Sequence, residues 1–277
     1  LFLSCILPLS LKETMKQVRG LASFIRDLGT QKIYLAHIYE NHKESERESK
    51  KFKNITLELR DRGYEVSTHS RSGSAVQGIR DLSRDLAPDF AALPWHNVDP
   101  LRRALVGSRD VDIIRSIQIP ALIFKRASQK EERGLGNVIY ATSFREPDRH
   151  AIKFLKEKRL KGDNLYFLHV GKRAPDPEAD RTRREKVEKG LKRLVQECNS
   201  DFRKVETVQT VGSVRHQIIS QAKNKKADLI IMGKTDSSRG LDRIMGSTTE
   251  SVAIRSSSNL LLIPVPPVSD SGRNNNE

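Results

Sequence analysis

The residues of this chain whose types and spacing best suit chemistry lie between Gly233 and Thr248. Leu229 to Met232 is a short, continuous apolar run flanked by Asp228 and Gly233, the pattern of a strand buried on both faces of a parallel sheet. Gly233 ends that strand. After a polar loop, Leu241, Ile244 and Met245 fall at helical spacing, and Gly246, Ser247 and Thr248 stand at the mouth of a further helix carrying Val252 and Ile254. A glycine turn leaving a strand, with main-chain amides and hydroxyls at a helix N-terminus, makes a cradle for phosphate. The chemistry expected is anion binding rather than bond making.

Other candidates weigh less. His37 and His169 sit in matching stretches, IYLAHI and LYFLHV, but no Asp, Glu or Cys cluster lies at ligand spacing, so they read as structural histidines. Trp95 and His96 follow an apolar run, and two readings stay open for them: the lining of a small pocket, or a cap on the sheet edge. In Arg181 to Arg193, Glu185 and Glu188 stand four residues before Lys189 and Lys192, which makes a solvated helix face of what could be a polyanion footprint. There is no Ser, His and Asp arrangement, no GxxxxGK loop and no HExxH pattern, so the expectation is a protein without a catalytic residue or a metal site.

Composition narrows the class. The chain has 277 residues, room for two domains that each bury a core. A formal charge of +15 favours polyanionic partners in principle, yet Lys and Arg are interleaved with Glu and Asp throughout and aromatics are 5%, so nucleic acid is not the expected partner. Cys5 and Cys198 stand one in each half without CxxC spacing, which points away from disulfides or zinc and toward a reducing, cytoplasmic compartment. Leu1 to Leu11 is too short to span a bilayer, so no membrane segment is expected in the residues given; a first residue Leu rather than Met implies trimming and leaves open what precedes it.

The elements that must position the cradle alternate. In the first half, apolar runs at Leu1 to Leu7, Lys32 to Tyr39, Tyr64 to Ser70, Phe90 to Leu93 and Ala121 to Phe124 are predicted strands, and helical spacing falls in Lys12 to Leu28, the charged stretch to Arg62, Val76 to Leu86 and Leu101 to Ile117. Residues 127–136 are polar and glycine-tipped, the composition of a linker. The pattern then restarts: strands at Val138 to Thr142, Leu165 to Val170, Val205 to Val211, Leu229 to Met232 and Leu260 to Ile263, with helices between. This places domains at 1–126 and 137–265, with a disordered tail at 266–277. The restart is a repeat, because Gly73 and Gly212, Asp89 and Asp228, Gly107 and Gly246, and Ser108 and Ser247 are each 139 residues apart. His37 and His169 are only 132 apart, so seven extra residues are expected in the second helix region of the second half, near Gly171 to Asp180.

Nearly the whole chain resembles tandem universal stress protein domains. That family carries Gly, two residues, Gly, nine residues, Gly, then Ser or Thr; here Gly233, Gly246 and Ser247 keep the spacing and Asp236 replaces the middle glycine, while in the first half Pro94, Asn97, Gly107 and Ser108 occupy the same places. The resemblance implies two tandem flavodoxin-like (adenine nucleotide alpha hydrolase-like) domains, each a mostly parallel five-stranded sheet with helices on both faces. It implies a stress-response role, regulatory or ligand-sensing and not enzymatic. The closing strands would pair as an internal pseudo-dimer, and a homodimer of the whole chain stays open. Family members commonly carry His at the positions of His37 and His169. In nucleotide-binding members an Asp ending the first strand holds adenine; its place falls here near Ser143 and near Ile6, neither a carboxylate. Gly212 with Ser213 keeps the ribose turn, and Met232, Gly233, Gly246, Ser247 and Thr248 keep most of the phosphate wall, so ATP or another adenine nucleotide is the one cofactor implied, in the second half. Asp236 opposes it, with Lys234 or Arg239 as candidate counter-charges. Two alternatives stay open: a weak ATP-binding or ATP-hydrolysing switch in the second half, and a soluble regulatory region of a membrane transporter.

Overall fold

The structure, a computed structural model, describes residues 1–39, 46–95, 109–127, 134–144, 146–172, 176–198, 201–234 and 246–264. The first half supplies β1 (Ser4–Leu9), α1 (Met15–Asp27), β2 (Lys32–Tyr39), α2 (Glu46–Asp61), β3 (Glu65–Ser72), α3 (Ala75–Leu86), β4 (Phe90–Pro94), α4 (Arg109–Ser116) and β5 (Ala121–Phe124). The second supplies β6 (Leu135–Thr142), α5 (Glu146–Lys158), β7 (Gly162–Gly171), α6 (Pro177–Cys198), β8 (Phe202–Val211), α7 (Val214–Asn224), β9 (Leu229–Lys234), α8 (Ser247–Arg255) and β10 (Asn259–Pro264).

All ten strands form one sheet in the order β3-β2-β1-β4-β5-β10-β9-β6-β7-β8. Inside each half the pairings are parallel and follow one scheme, with the first strand central, the second and third on one side, the fourth and fifth on the other. The halves meet through β5 and β10, which run antiparallel with Leu260 opposite Ile123 and Leu261 opposite Leu122. Both strands are apolar on both faces because helices cover both. On one face α1, α2, α5 and α6 bury Ile25, Ile55, Leu155 and Leu191 in a single cluster that runs through both halves; on the other, α3, α4, α7 and α8 do the same with Leu82, Ile114, Ile218 and Val252. These are tandem flavodoxin-like domains, each a doubly wound α/β sheet.

The repeat is visible in single contacts. Asp89 Oδ2 accepts the Ser4 amide at 2.9 Å, and Asp228 Oδ2 accepts the Asn137 amide at 3.2 Å, so each Asp pins the fourth strand of its half to the first. Gly136 makes room for this, since a Cβ there would stand 2.6 Å from Asp228 Oδ2. Left-handed backbone recurs in step as well: Leu11 with Phe144 (φ 60° and 59°), Gly73 with Gly212, and Ala87 with Lys226.

Two expectations need correction. β6 starts at Leu135, inside the stretch expected to be linker, because Leu135 pairs with Gly162 and is fully buried. β9 does not stop at Gly233 but runs through Lys234, which pairs with Pro264. The extra length of the second half falls in its second helix region, as expected: α6 has 22 residues where α2 has 16. The helical pattern at residues 101–108 and 241–245 and the tail at 266–277 lie outside the described residues.

Candidate functional site

In a sheet of this topology the chain leaves the first strand toward one face and the fourth toward the other, which opens a crevice at their C-terminal ends. In the second half those strands are β6 and β9. Met232 stands opposite Ala141 of β6 and Leu262 of β10, and Gly233 follows it opposite Ile263. α8 begins at Ser247 with Gly246 as its N-cap, and among the described residues no side-chain cap bond forms at that N-cap. Thr248 and Ser247 follow in that first turn. α7 is likewise without a side-chain cap at Ser213 and packs beside α8. An uncapped helix start leaves N–H groups facing out with the positive end of the helix dipole behind them.

Gly212 lies farther off. Its amide donates to the Gly171 carbonyl at 3.1 Å at the end of β7, and its φ of 134° is one that only glycine adopts without strain. Three strand spacings separate β8 from β9, roughly 14 Å across the sheet edge. The structure thus sets Met232, Gly233 and the Gly246–Thr248 turn on β9 and α8, with Gly212 at the far side of the same C-terminal rim. Asp236 and Arg239 lie outside the described residues.

The first half shows where the sequence misleads. Strand register makes Leu9 the counterpart of Thr142, since they pair with His37 and His169 respectively. The residue matching Ser143 is therefore Ser10, not Ile6, which is fully buried in mid-strand. With this register both halves read Ser, two residues, Glu: Ser10 with Glu13, and Ser143 with Glu146. Glu13 is 1% exposed, and its Oε1 accepts from the Ser10 amide at 3.1 Å and the Ser10 hydroxyl at 2.9 Å. It lines a cleft of about 40 Å³ with Ser10, Pro94, Arg109 and Asp110. Two carboxylates and a proline without an amide hydrogen make this cleft a poor phosphate site. Only the recurrence of Ser-x-x-Glu could have revealed Glu13 in advance. Asn97, Gly107 and Ser108 are outside the described residues.

The remaining candidates are structural. The Leu9 carbonyl accepts from His37 Nδ1 at 3.1 Å and the Thr142 carbonyl from His169 Nδ1 at 3.0 Å, so each ring holds the end of the first strand of its half. Trp95 is buried at the end of β4, an interior strand rather than a sheet edge, with Lys125 Nζ 5.8 Å from its ring centre. His96 is outside the described residues. Lys192 pairs with Glu188 at 2.7 Å in α6, as a solvated helix face requires. Burial pushes the Cys5 thiol far up and the Cys198 thiol to about 11, so neither is a ready nucleophile. No group of three metal-ligating side chains occurs among the described residues. Nor is any described helix long and apolar enough to cross a membrane. Lys234, the candidate counter-charge, is buried and donates to the Ile114 carbonyl at 2.7 Å and the Ile117 carbonyl at 3.1 Å, at the end of a first-half helix.

Solved structures share this architecture. A universal stress protein from Archaeoglobus fulgidus is 19% identical over 94% of this chain and 96% of its own, with a TM-score of 0.66. A functionally unknown protein from Pseudomonas aeruginosa is 16% identical over 94% and 92%, with a TM-score of 0.63. A universal stress protein family protein from Arabidopsis thaliana, solved with AMP bound, matches 47% of this chain and 91% of its own at 20% identity and a TM-score of 0.34. No curated protein matches the chain at a significant level. The sequence pattern of the Universal stress protein family matches it twice, over residues 26–125 and 135–264. With two such matches joined in one sheet, the chain belongs to the universal stress protein family.

Proposed function

We propose that this tandem universal stress protein is a cytoplasmic, non-catalytic regulatory or ligand-sensing factor whose second half binds an adenine nucleotide weakly. The domains would be 1–126 and 135–265, joined at 127–134 and followed by a tail at 266–277, with the β5–β10 pairing as the seam of an internal pseudo-dimer. The observation that carries the ligand assignment is the pair of uncapped helix starts in the second half, at Gly246 and Ser213. In the first half the turn matching Ser213 is Ser74, whose hydroxyl accepts the Gln77 amide at 3.5 Å, and Glu13 and Pro94 line the cleft. Phosphate would sit against the amides and hydroxyls of Gly233, Gly246, Ser247 and Thr248 and beside the side chain of Met232, and ribose against the turn at Gly212.

Mass spectrometry of small molecules released from the purified protein tests the ligand class. Adenine nucleotide in substoichiometric amount is expected. A different compound at full occupancy would overturn the assignment.

A further inference from the structure

We propose that the C-terminal end of α4, a helix of the first half, belongs to the wall of the second half's ligand site, and that Lys234 is the positioning residue joining them. The proposal rests on the nucleotide reading given above. Lys234 directly follows Gly233 and is 4% exposed at the end of β9. Its ammonium donates to the carbonyls of Ile114 at 2.7 Å and Ile117 at 3.1 Å, with that of Arg115 at 3.5 Å. The last carbonyls of a helix have no intrahelical partner and carry its negative pole, so a buried ammonium there is both satisfied and charge-matched. A second, weaker tie reaches the other flank of the cradle: Arg115 approaches Glu250, in the first turn of α8, at 3.8 Å.

The end of β9 and the first turn of α8 are the two segments that carry Gly233 and Gly246 to Thr248. Both are tied to one helix end across the seam. The traffic runs the other way too, because Lys125, just after β5, donates from Nζ to the carbonyl of Ser256, the C-cap of α8. α4 in turn lines the first half's cleft with Arg109, Asp110 and Ile113 at its N-terminal end. One helix of eight residues, about 12 Å long, therefore touches the first half's cleft at one end and the second half's cradle at the other. The first half, unsuited to phosphate itself, acts as the brace that sets the cradle's width.

The test uses the full chain and the variants Lys234→Met, Lys234→Arg and Arg115→Gln, with hydrogen exchange of the ligand-free proteins and calorimetric titration with ATP and magnesium. Lys234→Met is expected to speed exchange of the amides at Gly246 to Glu250 while those of α1 and β2 keep wild-type rates, and to weaken ATP about tenfold. Lys234→Arg should recover part of both effects. Arg115→Gln, a change at a half-exposed position, should give a smaller shift of the same sign and keeps the test decisive if Lys234→Met does not fold. Wild-type exchange at Gly246 to Glu250 in the folded variants overturns the proposal whether or not ATP binds. Local acceleration in a protein that binds no ATP leaves the brace standing and overturns the nucleotide reading instead.

Discussion

Asn259→Ala should cost about 3 kcal/mol, because Asn259 clamps one half of the chain to the other. The residue is fully buried at the start of β10. Its Oδ1 accepts from the Lys125 amide at 2.8 Å and the Arg126 amide at 3.1 Å, and its Nδ2 donates to the Arg126 carbonyl at 2.9 Å. Three hydrogen bonds at about 1 kcal/mol each give the estimate, and main-chain groups left unpaired in a partly buried turn push it upward. Asn259→Asp keeps the two acceptor contacts but buries a carboxylate against the Arg126 carbonyl, and should lose at least as much. Urea denaturation followed by circular dichroism is the assay. Both hydrophobic clusters run through both halves, so one cooperative transition is expected, displaced in the variant. A loss under about 0.5 kcal/mol, or two separate transitions of which only one moves, would refute the view that the seam makes the halves one folding unit.

Other outcomes follow from single contacts. Ala87→Gly should stabilise by about 0.5–1 kcal/mol in the same assay, since Ala87 ends α3 at φ 43° where glycine is free of strain; equal or lower stability would contradict it. Asp89 titrates below its ordinary 3.8: burial, the largest influence, raises it, but the Lys158 ammonium and the Ser4 amide together outweigh that. Its contribution is thus present above the unfolded value and lost as pH falls through the folded one, so Asp89→Asn should flatten the loss of stability below about pH 4, and an unchanged acid slope would count against the pairing. Gly212→Ala should destabilise by about 1–2 kcal/mol through backbone strain alone, because Gln217 Nε2, 3.5 Å from the new Cβ, is in ordinary contact; a neutral result in thermal melts would show that the turn relaxes.

Much of this molecule is legible in its sequence. The runs KIYLAHIY and ALIF become β2 and β5 with no change of boundary, because strands buried on both faces leave unbroken apolar stretches between turn residues. The repeat at 139 residues holds because Gly73 and Gly212 turn at left-handed φ and Asp89 and Asp228 bond the first strand's amide, roles few other residues fill. The register of β1 was not legible: Leu1 to Leu7 is apolar but for Ser4, and apolarity alone cannot say that the strand runs on through Pro8 to Leu9. That error carried Ile6 into a place belonging to Ser10. The lengthened α6 was legible in outline, because His37 and His169 are 132 residues apart against a repeat of 139, which places seven extra residues in that helix region. Gly233 and Gly246 could be named from spacing, but Lys234's role could not, since its partners lie at Ile114 and Ile117 in the other half and no local pattern encodes a contact across the seam.

The central claim is that an adenine nucleotide binds this chain through the second half alone, and titration calorimetry with ATP and magnesium on wild type, Asp236→Gly and Gly246→Val tests it most directly. Weak binding at one site is predicted for wild type. Asp236→Gly should tighten it by about 1–2 kcal/mol, the scale of one charge interaction in a partly solvated site, and Gly246→Val should abolish it by crowding the start of α8. Tight binding by wild type, two sites per chain, or binding indifferent to both substitutions would contradict the account.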